Sequence, residues 1–268
     1  MDIKDRVAVI TGAGGMGCGR AIAEGLAREG AIVVVSDIDE NGGQGTVRRI
    51  EMAGGTACFR RADVREQCDI HALLEFAEKR FGGVHILVNN ASAPFRPREP
   101  LEHWSEIVET DLLGPMFATR LAIELMQRTG GGSIINLSST SALGHGRLHP
   151  AGSPAYDVAK AAVLRLTTML GPLGANDNIR VNCVVPDWVA TPDVRTYWGS
   201  LTPDQRSSRG IPGRLTTVEG IANAVLRLVT DDTLAGRVLV WWSDDEPRLI
   251  PWGDPGYASL EPLKPSPT

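Results

Sequence analysis

Two residues four apart can do acid–base chemistry: Tyr156 and Lys160, in the run AYDVAK. On a helix that spacing puts both side chains on one face, where an ammonium beside a phenol lowers the phenol's pKa. A tyrosine so placed exchanges protons near neutral pH. Upstream, Ser139 ends the strand-like run SIINLSS and offers a hydroxyl that can steady a developing oxyanion. Chance alone supplies about 0.04 such tyrosine–lysine pairs in a chain of this composition, so the weight of the pair depends on its surroundings.

Those surroundings alternate. Short β-branched runs at Val7 to Ile10, Ile32 to Ser36, Ile86 to Val88, Ile134 to Leu137, Val181 to Val185 and Val238 to Trp241 read as buried parallel strands. Helical patterns lie between them, at Gly19 to Glu29, Asp69 to Phe81, Trp104 to Thr129, Tyr156 to Leu170 and Val218 to Val229. This order predicts an α/β fold, a Rossmann-type doubly wound parallel sheet with helices on both faces and a ligand site at the carboxyl ends of the strands. A single domain is expected over residues 1–246, with a substrate lid at about 192–214 and an extended arm over 247–268.

After the first strand comes TGAGGMGCG, Thr11 to Gly19, directly before a helical run. Gly12, Gly17 and Gly19 let backbone approach a pyrophosphate, with Met16 and Cys18 beside them, and the positive end of the following helix attracts it. The second strand ends at Asp37, followed by Ile38, where a carboxylate can accept hydrogen bonds from an adenosine ribose diol. The same charge repels a 2'-phosphate, and the turn holds no Arg or Lys to attract one. NAD is therefore expected rather than NADP.

A net charge of −5 with no long basic run argues against nucleic acid or an anionic membrane as partner and for small molecules. The N-terminus enters a strand without a signal-like segment, and no apolar stretch reaches membrane-spanning length, so a cytoplasmic location is expected. The four cysteines, Cys18, Cys58, Cys68 and Cys183, show no C-x-x-C spacing, which predicts reduced thiols and no metal site.

Together these residues resemble the short-chain dehydrogenase/reductase family, from about Val7 to Val240. The matching pieces are the glycine turn, Asp63-Val64, NNAS at Asn89 to Ser92, INLSS, the YDVAK helix, IRVNCVVPDWVATP at Ile179 to Pro192, and IANAVLRLVTDD. The resemblance implies a nicotinamide-dependent oxidoreductase acting on alcohol or carbonyl groups. It implies that Asp63 and Val64 contact adenine, Asn90 the adenine ribose region, Lys160 the nicotinamide ribose, and Thr191 the carboxamide or phosphates, with Pro186 also at the cofactor. Ser139 and Tyr156 would bind the reacting oxygen. A homotetramer is expected, or failing that a dimer, because the two central helices carry surplus apolar residues (Leu112, Leu113, Met116, Phe117; Val163, Leu164, Leu166, Met169) and family members pair these helices and the final strand with copies.

The chain departs from the family pattern at four points. The glycine turn is one residue longer. Asp111, in ETDLLG, takes the place of the family's active-site Asn and is the fourth expected catalytic residue; a buried carboxylate there alters the titration of its neighbours. Asp187 stands where a Gly usually follows the Pro. A longer segment separates Ser139 from Tyr156 and carries His145, Arg147 and His149. Arg96 and Arg98, or Tyr197 and Trp198 of the lid, are candidate substrate contacts, and Trp252 and Tyr257 candidate anchors of the arm against a neighbouring subunit. Two other readings stay open: a nucleotide-binding scaffold that has lost catalysis, and an epimerising or eliminating enzyme using the same site.

Overall fold

β-branched residues tolerate burial on both faces of a parallel sheet, and the chain uses them for its central strands. The computed structural model describes residues 1–94, 101–143 and 153–253; Arg96, Arg98, His145, Arg147, His149 and Tyr257 lie outside them. Its strands are β1 (Val7–Thr11), β2 (Ile32–Asp37), β3 (Thr56–Arg61), β4 (Ile86–Asn89), β5 (Gly132–Leu137), β6 (Ile179–Pro186), β7 (Val238–Trp241) and β8 (Arg248–Leu249). They form one sheet in the order β3-β2-β1-β4-β5-β6-β7-β8, parallel except for β8. Strand order reverses between β1 and β4, and that opens a crevice at the carboxyl ends of the two strands.

Helices α1 (Cys18–Arg28), α2 (Glu40–Met52), α3 (Gln67–Phe81), α4 (Trp104–Val108), α5 (Gly114–Thr129), α6 (Pro154–Met169), α7 (Leu173–Asp177), α8 (Pro192–Gly199), α9 (Pro203–Ser208) and α10 (Val218–Thr230) complete the described chain. On one face Ile22 and Leu26 of α1 pack with Val225 and Leu228 of α10 against β1, β2 and β4. On the other, Leu73 and Leu74 of α3 join Leu125 and Met126 of α5. Each fully buried Leu or Ile contributes about 1.5–3 kcal/mol, so both layers are firmly held.

The structure adds elements that the hydrophobic pattern hides. α2 reads ENGGQGTVRRIEM, and its three glycines argue against a helix by propensity. They serve close packing: a Cβ on Gly43 would fall 2.1 Å from the Phe59 ring, and one on Gly42 would fall 2.5 Å from the Gly14 carbonyl. β3 is half-exposed and lies at the sheet edge, so it lacks a continuous apolar run. The expected single helix from Trp104 to Thr129 is broken by a π-helical turn over Glu109–Leu113. The signal was Pro115, which has no N–H to donate to the carbonyl of Asp111 four residues back.

The arm departs from expectation as well. Its described part folds onto its own chain: Leu249 and Arg248 pair with Leu239 and Val240, and the Ile250 amide donates to Val238 O. Trp252 lies on Gly171 and Gly236, with the Arg237 guanidinium 5.3 Å from its ring centre. The outer edge of β7, expected to meet a copy of itself, is therefore occupied by β8. Deleting residues 246–268 should bare that edge and lower stability by on the order of 1–2 kcal/mol, measured as a drop of a few degrees in Tm. An unchanged Tm would show that the β8 pairing contributes nothing.

Candidate active site

Burying a lysine forces its surroundings to compensate the charge. Lys160 is 4% exposed on α6. Its Nζ donates to Leu137 O at the end of β5 (3.0 Å) and lies 2.9 Å from Asp111 Oδ1, itself wholly buried. Asp111 Oδ2 accepts from the Ala93 amide at 3.0 Å, so the carboxylate is held at both ends. Desolvation pulls the ammonium down, but Asp111 and Tyr156 outweigh it and hold Lys160 above its ordinary pKa. At neutral pH it is a cation.

Tyr156, one helical turn earlier, places its ring centre 5.3 Å from that Nζ, and the Ser139 hydroxyl lies near enough to its phenol to favour ionisation. The helix is started for it: Ser153 caps α6 by accepting from the Tyr156 amide, and Pro154 occupies the first turn. The four expected catalytic residues, Ser139, Tyr156, Lys160 and Asp111, thus come together from three separate elements. One expectation is corrected. Although part of the Tyr156 surface reaches solvent, burial around its hydroxyl pushes the phenol above the ordinary tyrosine value; Lys160 and Ser139 lower it, Asp111 raises it, and burial prevails.

Beneath this cluster runs a buried polar chain that sequence reading missed. Asn89 donates to Thr119 Oγ1 (3.0 Å) and Asn136 Oδ1 (2.8 Å), and Asn136 donates to Thr167 Oγ1 (3.0 Å). Ser138 Oγ donates to Lys160 O at 2.9 Å. Such a satisfied network fixes β4, β5, α5 and α6 in one register, and with them the tyrosine and lysine. The signal was present in the polar Asn136 inside the apolar run SIINL.

The glycine turn sits at the strand-order reversal. Gly12 has φ +66°, and a Cβ there would lie 2.6 Å from Ala91 Cα; one on Gly19 would lie 2.3 Å from Gly12 O. Asn90 is placed behind the turn rather than in the open crevice, its Nδ2 donating to Thr11 O and Gly12 O, both 2.9 Å away. The extra residue is accommodated by Asp37: its Oδ2 accepts from the Gly14 amide (2.7 Å), while Arg20 donates to Gly14 O (2.9 Å). No side chain caps the first turn of α1 after Gly17. Uncapped amides at the end of a glycine-rich crevice suit a pyrophosphate, so the residues present fit a dinucleotide.

Around the crevice, Thr191 approaches Gly17, with its Cγ2 3.6 Å from a Cβ built there. Met16 and Ile38 stand exposed at 65% and 57%, as an open apolar lip. Asp63 is gripped by Arg65 at 2.6 Å, which holds its carboxyl below the usual range, and Val64 is buried against Gly114. Pro186 ends β6 opposite Trp241. Burial pushes the Cys18 thiol up to about 11, so it is inert near neutral pH. Asp187 turns into the protein: its Oδ1 accepts from Thr140 Oγ1 at 3.0 Å and its Oδ2 from the Ser243 amide at 3.4 Å. Trp188 stacks on Tyr197 with ring centres 6.0 Å apart, a pairing unforeseen from the sequence. Trp198 instead locks α8 to the chain beyond α9, its Nε1 donating to Pro212 O with Arg206 stacked on its ring at 3.8 Å.

A crevice built for a dinucleotide, opening onto a fixed tyrosine and lysine, is the plan of a Rossmann-type oxidoreductase. The enoyl-(acyl carrier protein) reductase family model matches residues 12–240. A cis-4-hydroxycyclohexanecarboxylate dehydrogenase of Sinomonas cyclohexanicum is 36% identical over 85% of this chain and 90% of its own. A cyclohexanol dehydrogenase of Acinetobacter sp. is 32% identical over 85% and 89%. Among solved structures, a putative short-chain dehydrogenase/reductase from Burkholderia xenovorans superposes with a TM-score of 0.79 at 31% identity, covering 89% of this chain and 95% of that one. The chain belongs to the short-chain dehydrogenase/reductase family. Dehydrogenases of this family use nicotinamide dinucleotides. No helix among the described residues is long and apolar enough to cross a membrane.

If Lys160 and Asp111 compensate each other, removing one leaves the other buried and alone. Lys160→Met should destabilise the fold by about 3–5 kcal/mol in denaturant titration, and adding Asp111→Asn should restore at least about half of that. Equal stability of the single and double variants would dissolve the pairing.

Proposed function

We propose that this protein is an NAD-dependent dehydrogenase that interconverts a ring-shaped secondary alcohol and its ketone, with Tyr156 as acid and base. The observation that carries the reading is the Ser139–Tyr156–Lys160 arrangement: a phenol beside a buried cation, with the Ser139 hydroxyl close enough to favour its ionised form. In oxidation Tyr156 accepts the alcohol proton, and in reduction it returns one to the carbonyl oxygen. Ser139 donates to that oxygen and fixes its position. Lys160 steadies the phenolate form and, with Leu137 O and Asp111 already engaged, has one N–H left for a ribose hydroxyl. The cofactor, when bound, supplies the acceptor or donor of hydride.

NAD rather than NADP is supported by the Asp37 carboxylate at the lip of the glycine turn. Arg20, at the start of the helix after the turn, is directed to Gly14 O and to Thr46 Oγ1 at 3.1 Å. Ile38, Asp63 and Val64 would border adenine, Asn90 would shape the turn, and Thr191 and Pro186 would flank the nicotinamide end. The ring-shaped substrate is supported by two relatives named for six-membered ring alcohols and by the stacked rings of Trp188 and Tyr197, which flank Thr191 in the chain. For assembly, exposed Leu113, Met116 and Met169 support pairing through the central helices, whereas Val163 belongs to the core. A homotetramer needs a second contact, and β8 already occupies the β7 edge, so a homodimer is the reading the geometry favours. A cytoplasmic location is part of the same proposal.

The test is a panel of secondary alcohols, cyclohexanols included, assayed for net NADH or NADPH production. Net reduced cofactor separates a dehydrogenase from an epimerase, which recycles it. Tyr156→Phe should lower kcat by on the order of 10² to 10⁴ while NADH affinity stays within a few fold; a variant that keeps most of its activity would remove the tyrosine from the mechanism. NAD⁺ should be preferred by at least about tenfold in kcat/KM, and Asp37→Ala should narrow the gap. Better turnover with NADP⁺ in the unmodified protein would contradict the role given to Asp37.

A further inference from the structure

The carboxylate of Asp111 changes what Tyr156 experiences. A neutral side chain at that position would leave Lys160 as the dominant charge beside the phenol. Instead the ammonium faces a carboxylate oxygen at 2.9 Å while the tyrosine ring centre is 5.3 Å away, so part of the lysine's field is offset at close range. Neither partner can turn aside: Ala93 N holds the other carboxylate oxygen, and Leu137 O holds the ammonium. The Pro115-induced π turn is what aims Asp111 inward.

We propose that Asp111 is a positioning charge that acts through Lys160: by pairing with the ammonium it weakens that cation's hold on Tyr156 and adds to the effect of burial in favouring the protonated phenol. On the function proposed above, on which this consequence rests, the site is then poised to give a proton to a carbonyl, and alcohol oxidation rises only in alkaline solution. Among the described residues, the other groups facing the phenol are Asp157 on the same helix, whose charge opposes ionisation, and Ser139, whose hydroxyl favours it. Lys160 also faces Cys183 on β6, but burial pushes that thiol up to about 12 and it stays neutral. Asp111 is thus the carboxylate that directly offsets the lysine.

The direct test needs no substrate. Ultraviolet titration of tyrosinate in the cofactor-free protein, taken as the difference between each protein and its Tyr156→Phe counterpart, isolates Tyr156 among the three tyrosines. Asp111→Asn should lower the Tyr156 midpoint by about one pH unit or more, and Asp111→Ser should do the same. A midpoint that stays put or rises in a folded variant overturns the proposal. If neither variant folds, Asp111→Glu, which displaces the carboxylate from the ammonium, is titrated instead: a Tyr156 midpoint that differs from that of the unmodified protein supports the proposal, and an unchanged one overturns it. With an active alcohol in hand, the rising limb of kcat/KM for oxidation should move to lower pH by the same amount in Asp111→Asn. A downward midpoint shift in a protein that transfers hydride with no alcohol would sink the proposed function and leave the role of Asp111 standing.

Discussion

The buried ammonium of Lys160 is the constraint to which the rest of this architecture answers. A cation without water must find an opposite charge and hydrogen-bond acceptors in fixed positions, or it loses its proton. Here the end of β5 provides the Leu137 carbonyl, a distorted turn between α4 and α5 provides Asp111, and the backbone of Lys160 itself is held by Ser138. Three elements distant in sequence are thereby tied to one atom. The buried chain from Asn89 through Asn136 to Thr167 sets their relative register. A tyrosine riding on the same helix inherits that rigidity, and an acid–base group needs it, because proton transfer tolerates little error in position.

The cofactor crevice answers to a different constraint, close approach of backbone to backbone. Gly12 and Gly19 pack where no side chain fits, and Asn90 closes the turn from behind with both amide hydrogens. The one-residue enlargement of the loop does not leave it slack, since Gly14 is clasped between Asp37 and Arg20. Asp37 therefore ties the end of β2 to the enlarged loop. Asp187 joins two segments in the same way. It satisfies its charge on Thr140 and Ser243, and so ties the segment after Ser139 to the chain leaving β7. A carboxylate at this strand end is tolerated because it faces inward onto these donors.

At the far edge of the sheet the molecule manages its boundaries. β8 covers β7, and Trp252 rests on Gly171 and Gly236. Arg180, a buried cation of β6, donates to Leu228 O and Val229 O and so caps the carboxyl end of α10. These contacts hold β6 and β7 to their neighbours, and β6 ends at Pro186, directly before Asp187.

Much of this was legible in the order of residues. The alternation of β-branched runs with helical patterns dictated a doubly wound sheet, because strands buried on both faces must be apolar throughout. The glycine turn, the acidic end of β2 and the spacing of Tyr156 and Lys160 were legible because a tight turn and one helix face need particular residue types at particular intervals, and the structure brings the glycine turn to the strand-order reversal and Tyr156 beside Lys160. Other features depended on contacts that no local pattern encodes. α2 is a helix despite its glycines, since Phe59 and Gly14 press against it from elsewhere in the chain. β8 pairs in a segment that reads as a loose arm. The titration of Tyr156 was only half legible for the same reason: spacing brings Lys160 near and it does lower the phenol, but burial and the charge of Asp111 reach the phenol only through the folded interior, where desolvation outweighs one nearby cation.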